Sequence, residues 1–408
     1  MTAADIRSFF PALSDSVYGK PLVYLDNAAT SQRPQSVMDT VSRLSLHANA
    51  NIHRAVHALA AKATEEVEST RETVRQCLNA ASREEIVFTS GTTAGINLVA
   101  YAFGEAFVSE GDEIIVSEAE HHSNIVPWQL LCSRKKAILK VLEIDENGEL
   151  SPAQVEKLIS QRTKLIAITH ISNVLGIENP AREIIRIAHT HGVPVLVDGA
   201  QGFVHRKVDV QDLDSDFYVF SGHKVYAATG TGVLYGKKRY LEAMPPFMGG
   251  GEMIETVRFS GTSFAPLPGK FEAGTQHFNG IPSLKPALEF RQKCLDDKEL
   301  LAEQEAISAF VTEALLSDAR IRLYGVPRRT SDKIPLFSFS VEGAHHEDLA
   351  LIMDKMGIAL RSGQMCAEPL MDHYGVTGML RASFAPYNTL EEAKYFIACL
   401  HKAIDMLV

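Results

Sequence analysis

Six short runs of mostly apolar residues, each closed by a small or polar residue and followed by an amphipathic stretch, constrain this chain most. They are Glu85–Thr89, Glu113–Ser117, Lys164–Thr169, Val193–Val197, Phe217–Phe220 and Gly232–Tyr235. Runs this short, rich in β-branched and aromatic residues and not alternating, predict strands buried on both faces. Helices are expected at Thr93–Phe107, Asn124–Ser133, Ser151–Ser160 and Ala181–His191. That alternation predicts an α/β fold with a mostly parallel central sheet covered by helices.

The style changes after about Ile281. Ser283–Leu316 reads as one or two long helices, Pro335–Val341 as a strand and His346–Met356 as a helix. Met379–Phe384 then reads as a strand and Leu390–Leu407 as a closing helix. The expected organisation is a large domain over 21–282 and a smaller α+β domain over 283–408, with residues 1–20 packing against the smaller one. Gly249–Gly280, rich in Gly, Pro and Thr, is expected to form long loops at a domain or subunit boundary.

Composition narrows the partners. A formal charge of −10 disfavours nucleic acid or an anionic membrane as the main partner. Met1–Asp15 carries Asp5 and Arg7 and has no apolar leader, and no stretch is apolar for long enough to span a bilayer. The five cysteines, at 77, 132, 294, 366 and 399, form no Cys-x-x-Cys pair, which points to free thiols in a reducing cytoplasm.

Chemistry-bearing residues sit where predicted strands end. Lys224, in Phe220-Ser221-Gly222-His223-Lys224, is either a solvated lysine or a Schiff-base amine facing a pocket. Asp198 closes the apolar run Val195-Leu196-Val197, where burial needs a cation or a hydrogen bond, unless it only caps the next turn. Ser90-Gly91-Thr92-Thr93 opens a helix and suits a phosphate, or serves as an ordinary N-cap. His121, in Glu118-Ala119-Glu120-His121-His122, can stack on a flat cofactor, bind metal or be solvated. Asn173 follows the next strand and can donate to a cofactor oxygen or a substrate carboxylate. In a parallel sheet all of these gather on one rim, where ligands bind.

This ordered set resembles the fold-type I pyridoxal-phosphate (PLP) enzymes, in particular the cysteine desulfurase (NifS/SufS) class. The likeness runs from Tyr24-Leu25-Asp26-Asn27-Ala28-Ala29 to Leu380-Arg381-Ala382-Ser383 and beyond. The resemblance implies that Lys224 binds PLP covalently, Asp198 pairs with its ring nitrogen, and Gln201 bonds its phenolate oxygen. It implies His121 stacked on the ring, with Thr92, Thr93, Ser221 and His223 around the phosphate and Asn173 beside the cofactor. Arg381, Arg361, Asn173 and Asn27 would then meet the substrate.

Of the cysteines, four fall in predicted helices, where a free Cys is usually a small core residue. Cys366 alone lies in a short loop, Gly363-Gln364-Met365-Cys366-Ala367, and Arg361 nearby is expected to favour its thiolate. The loop resembles the Arg-x-Gly-x-x-Cys-Ala signature of group II (SUF/CSD-type) desulfurases. The activity implied is conversion of L-cysteine to L-alanine with a persulfide on Cys366. The sulfur would pass to an acceptor of the SufE/SufU kind for iron–sulfur cluster or related biosynthesis. A lyase acting on L-selenocysteine or cystine is the alternative reading, and a carrier or scaffold subunit with a degenerate site is another.

Phe271-Glu272-Ala273-Gly274-Thr275 resembles the segment whose threonine reaches a neighbouring subunit's phosphate, and Asn51–His57 a segment at the dimer-facing mouth. Both imply a homodimer. His53 and His57 have i,i+4 spacing but lack the Glu of a His-Glu-x-x-His zinc motif, so no metal is expected. The chain departs from the family at Ala94, Gln276-His277 and Gln364-Met365, where relatives often carry Glu, Pro-Asn and His-His.

Overall fold

The computed structural model describes residues 1–54 and 56–408. Its centre is a seven-stranded sheet. In chain order the strands are β1 (Ile86–Thr89), β2 (Glu113–Ser117), β3 (Ile138–Leu142), β4 (Thr163–Thr169), β5 (Val195–Asp198), β6 (Phe217–Ser221) and β7 (Gly232–Gly236). The spatial order is β1-β7-β6-β5-β4-β2-β3. From β3 to β6 every pairing is parallel, and β7 runs antiparallel to both β6 and β1. Continuous apolar runs are what such strands need, because helices cover both faces: β2, β5, β6 and β7 are buried along their whole length.

The expected strands are present with ends shifted by one or two residues. Glu85 belongs to a preceding 3₁₀ turn, and β5 starts at Val195 and takes in Asp198. Strand β3 is an addition. Its sequence, Ile-Leu-Lys-Val-Leu, lies at the sheet edge with both faces partly open, so it lacks the wholly apolar signature of the others. Helices Gln35–His47 and Ala58–Leu78 are further additions before β1.

A second, four-stranded antiparallel sheet comprises Ile321–Tyr324, Leu336–Val341, Met379–Ser383 and Arg361–Gly363, in that spatial order. Leu380 and Ala382 turn towards helices Lys298–Ser317, His346–Lys355 and Leu390–Leu407, joining Val311, Leu349, Phe396 and Leu400 in one core. Strand periodicity then turns Arg381 to the opposite face. The N-terminal residues rest on this part of the chain: the Met1 amine meets Asp297 at 2.6 Å and Arg7 Nη1 meets Glu392 at 2.8 Å.

Gly249–Gly280 is not uninterrupted loop. Ile254–Arg258 and Gly261–Phe264 form a hairpin whose tip residue Phe259 is fully exposed. Among the described residues no helix is long and apolar enough to cross a membrane.

Candidate active site

Because β1, β2, β4, β5 and β6 run the same way, their C-terminal ends share one rim, and the segments leaving them carry the site. After β1, Gly91 (φ +145°) opens helix Thr92–Phe107. Strand β7 crosses tightly behind it: a Cβ on Gly232 would stand 2.4 Å from Gly91 Cα, a backbone contact that no rotamer change relieves. The Thr92 N–H donates to Ser221 Oγ at 2.8 Å, and the two hydroxyls lie 2.8 Å apart, which ties the helix start to the end of β6.

Lys224 ends a 3₁₀ turn directly after β6 and is half-buried. Loss of water around its amine pushes it down to about 8; Asp198, Cys366 and Asp26 pull the other way, and Arg381 reinforces the drop. These groups therefore lie near enough to act on the amine. Asp198 is 3% exposed, and its Oδ1 accepts from the Ala200 N–H at 2.9 Å. Burial raises its pKa, opposed by that hydrogen bond and by Lys224.

His121 heads the turn after β2. Its Nδ1 accepts from the Ser123 N–H at 3.0 Å, so the neutral ring carries its proton on Nε2. Burial first, then the positive charges of Lys224, His122 and Arg381, push the imidazole down to about 4. The turn is held from behind by Glu120, fully buried and pushed up to about 8 by desolvation. Glu120 accepts from Asn124 at 2.6 Å and from the Thr169 N–H at 2.8 Å, and Trp128 Nε1 donates to Asn124 at 2.9 Å.

Arg381 is buried, with Nη1 donating to the Asn173 carbonyl at 2.8 Å and Nη2 to Asp26 at 3.3 Å. Its Nε is buried without a partner among the described residues, leaving a donor for an incoming carboxylate. Arg361 lies on the neighbouring strand, opposite Arg381 in register, and is gripped by Asp26 at 2.8 Å. That pairing departs from the expectation that Arg361 serves the Cys366 thiolate. Cys366 lies near enough to Lys224 and Arg381 to act on both.

Cys366 is exposed, while Cys132, Cys294 and Cys399 are buried in helices and Cys77 is partly buried in one. Asn173 Nδ2 donates to the Met365 carbonyl at 2.9 Å, so this amide holds the Cys366 loop. Gln201 Nε2 donates to the Ala28 carbonyl at 2.8 Å. Asn27 is wholly engaged within the protein: its amide donates to the Ser383 carbonyl at 2.7 Å and its oxygen accepts from Tyr387. It clasps two segments together and has no free group for a substrate. His223 is half-buried and pushed down to about 4 by desolvation, Lys224 and Arg33. Thr93 and Thr275 are exposed. His53 (φ +67°) precedes helix Ala58–Leu78 and His57 caps it, so the pair shares no helical face. Ala55, within that mouth-like segment, lies outside the described residues.

Three residues of the site carry little sequence signal: His122, Asp26 and Glu120. Each acts through a partner far along the chain, Cys366 and Glu368 for His122, Arg361 and Arg381 for Asp26, Thr169 for Glu120.

Pyridoxal phosphate fits these groups. The first turn of Thr92–Phe107 has amides without intrahelical acceptors, suited to a phosphate. Asp198, a buried carboxylate with a backbone N–H as its hydrogen-bond partner, suits a protonated ring nitrogen. Lys224 supplies an amine already poised near neutrality.

Comparison with known proteins agrees with this geometry. Residues 23–396 match the Aminotransferase class-V family. A probable cysteine desulfurase of Vibrio cholerae is 46% identical over 402 residues, 98% of each chain. A cysteine desulfurase of Escherichia coli O127:H6 is 46% identical over 403 residues, again 98% of each chain. The crystal structure of the Escherichia coli cysteine desulfurase CsdA in its S-sulfonic acid form superposes with a TM-score of 0.90 at 39% identity, covering 100% of both chains.

Proposed function

As the chain belongs to the aminotransferase class-V family and is a PLP-dependent cysteine desulfurase, we propose that Lys224 holds its cofactor and Cys366 takes the sulfur. The reaction converts L-cysteine to L-alanine and hands the sulfur to an acceptor. The observation that carries the residue assignment is geometric: Asp198 ends β5, Lys224 follows the adjacent strand β6, and the buried Arg381 is tied to Asn173 and Asp26 on the same rim.

When bound, pyridoxal phosphate accepts the electrons left at the substrate α-carbon, which loosens the bond from carbon to sulfur. Asp198 keeps the ring nitrogen cationic. Arg381, with its buried Nε free, forks onto the substrate carboxylate and orients it. Lys224 Nζ would take the α-proton, for which an amine with a pKa of about 8 is suited. The Cys366 thiolate attacks the substrate sulfur; an S–S bond forms, the C–S bond breaks, and its electron pair stays with carbon. One proton delivered there completes the methyl group of alanine and one returned to the α-carbon restores its C–H; His121 Nε2–H is a donor on this rim.

Incubation with L-cysteine should leave one added sulfur on Cys366 by mass spectrometry, with alanine formed in step. An unmodified Cys366 after turnover would remove it from the mechanism. The amine gives a second test. At pH 7 a lysine with pKa about 8 is neutral roughly 300-fold more often than one near 10.5. Only the neutral amine attacks an aldehyde, so cofactor uptake by the cofactor-free protein should rise with pH and level off above about 8. A uptake rate still climbing tenfold per unit at pH 9.5 would refute the shift.

The working form in this reading is a homodimer, which the exposure of Thr275 and of the hairpin tip at Phe259 supports. The exposed Cys366 suits delivery of sulfur to a protein of the SufE/SufU kind. A thiol that must be regenerated each turnover suits the reducing cytoplasm.

A further inference from the structure

The loop carrying Cys366 is anchored by two residues, His122 and Asn173. Between strand Arg361–Gly363 and helix Glu368–Tyr374, Met365 (φ +54°) and Cys366 (φ +55°) are consecutive residues in the left-handed region, which side-chain-bearing residues seldom occupy. A backbone in that state persists only where its surroundings over-determine it. Here three hydrogen bonds do so. The His122 N–H donates to the Cys366 carbonyl at 2.7 Å, and the Glu368 N–H donates to His122 Nε2 at 3.0 Å. Asn173 adds the third, on the Met365 carbonyl.

His122 thus grips the loop on both sides of the thiol, once through its backbone and once through its ring. Its own position is rigid, since it opens the 3₁₀ turn His122–Asn124 that buried Glu120, Asn124 and Trp128 hold in place. The neighbouring residue in that turn is His121, which faces the same pocket as Lys224. One turn therefore sets both the imidazole and the thiol relative to the amine.

We propose that His122 is a positioning residue: its ring nitrogen Nε2 latches the strained Cys366 loop in its docked arrangement over the pocket. Breaking that latch lets the backbone at 365–366 relax into ordinary conformations and carries the thiol away from Lys224 and Arg381. The inference rests on Cys366 being the sulfur acceptor, but its physical content, a loop held by the His122 ring, stands apart from catalysis.

The test uses the PLP-loaded protein and three forms of residue 122. His122→Leu keeps bulk and removes the acceptor, while His122→Gln restores an acceptor at similar reach. With Leu, amide exchange at Glu368 should quicken about fivefold, the worth of one hydrogen bond. The rate of alanine formation should fall at least as far, with KM for L-cysteine and the cofactor absorbance unchanged. Gln should return both readouts towards wild type. Equal behaviour of Leu and Gln, or unaltered exchange at Glu368 with Leu, would overturn the latch. Should the Leu variant not fold, ring ¹⁵N spectra of the wild-type protein decide. His122 must appear with Nε2 unprotonated, and a proton found on Nε2 would refute the proposal. Absence of a persulfide on Cys366 in wild type, with these exchange results intact, would instead count against the sulfur-acceptor role.

Discussion

Replacing Cys366 by alanine is expected to stop alanine formation from L-cysteine, by roughly 10³-fold or more, and to leave cofactor binding intact. The thiol is exposed and outside the core, so the fold loses little: a stability change within about 0.5 kcal/mol is expected. Alanine also tolerates the left-handed backbone at 366 no worse than cysteine does. The groups we propose to hold the cofactor, Lys224, Asp198 and the start of helix Thr92–Phe107, are untouched. The cofactor absorbance should therefore match wild type, and alanine release is the quantity to measure. Full turnover of L-cysteine by the variant would end the assignment of Cys366. Alanine released from L-selenocysteine by the same variant would show that the pocket alone suffices when the leaving atom needs no thiol.

The largest effect on stability is expected at Arg71. This residue is 2% exposed and forms a bidentate pair with Glu272, at 2.7 and 2.9 Å, itself 5% exposed. Arg71 Nη1 also donates to the Ile86 carbonyl at 2.8 Å, and Glu272 accepts from the Phe88 N–H at 2.7 Å. The guanidinium stacks 4.4 Å from the centre of the Phe88 ring. Helix Ala58–Leu78, strand β1 and the segment leading to Thr275 are thereby joined. Arg71→Ala leaves a carboxylate buried without its cation, which costs about 3–5 kcal/mol. Removing both charges together, as Arg71→Met with Glu272→Leu, should recover part of that loss, because an apolar pair of similar volume owes no desolvation, while the Ile86 carbonyl and Phe88 N–H lose their partners. Urea unfolding of the three proteins checks this. A single variant no weaker than the double one would mean that the pair is not sealed from water.

The rim was readable from the chain because each of its members breaks a local rule. Asp198 follows three apolar residues in a strand buried throughout, and Cys366 is the one cysteine outside a helix. Such residues are costly where they stand unless something compensates them, so they draw attention without coordinates. The central sheet was readable for a related reason, since strands covered on both faces need unbroken apolar runs. Strand β3 escaped because an edge strand with exposed positions has no such need. The exposed hairpin at Ile254–Phe264 escaped likewise, its residues satisfying each other's backbone groups with little burial. Asp26 and His122 escaped because what they do depends on partners 335 and 246 positions away, Arg361 and Glu368. Asn27 and Arg361 are the mirror case. Each sits in a family-like motif, yet the structure commits Asn27 to Ser383 and Tyr387, and Arg361 to Asp26.

The reversed strand β7 has a consequence for how the protein comes to be made. It lies between β1 and β6, so the turn at Gly91 and the lysine at 224 are bridged through the sheet only when β7 pairs with both strands. A nascent chain leaving the ribosome with Lys224 already synthesised still has no β7 to bridge the two until residue 236 has emerged. The two halves of this rim are therefore joined through the sheet only after all seven of its strands have been translated.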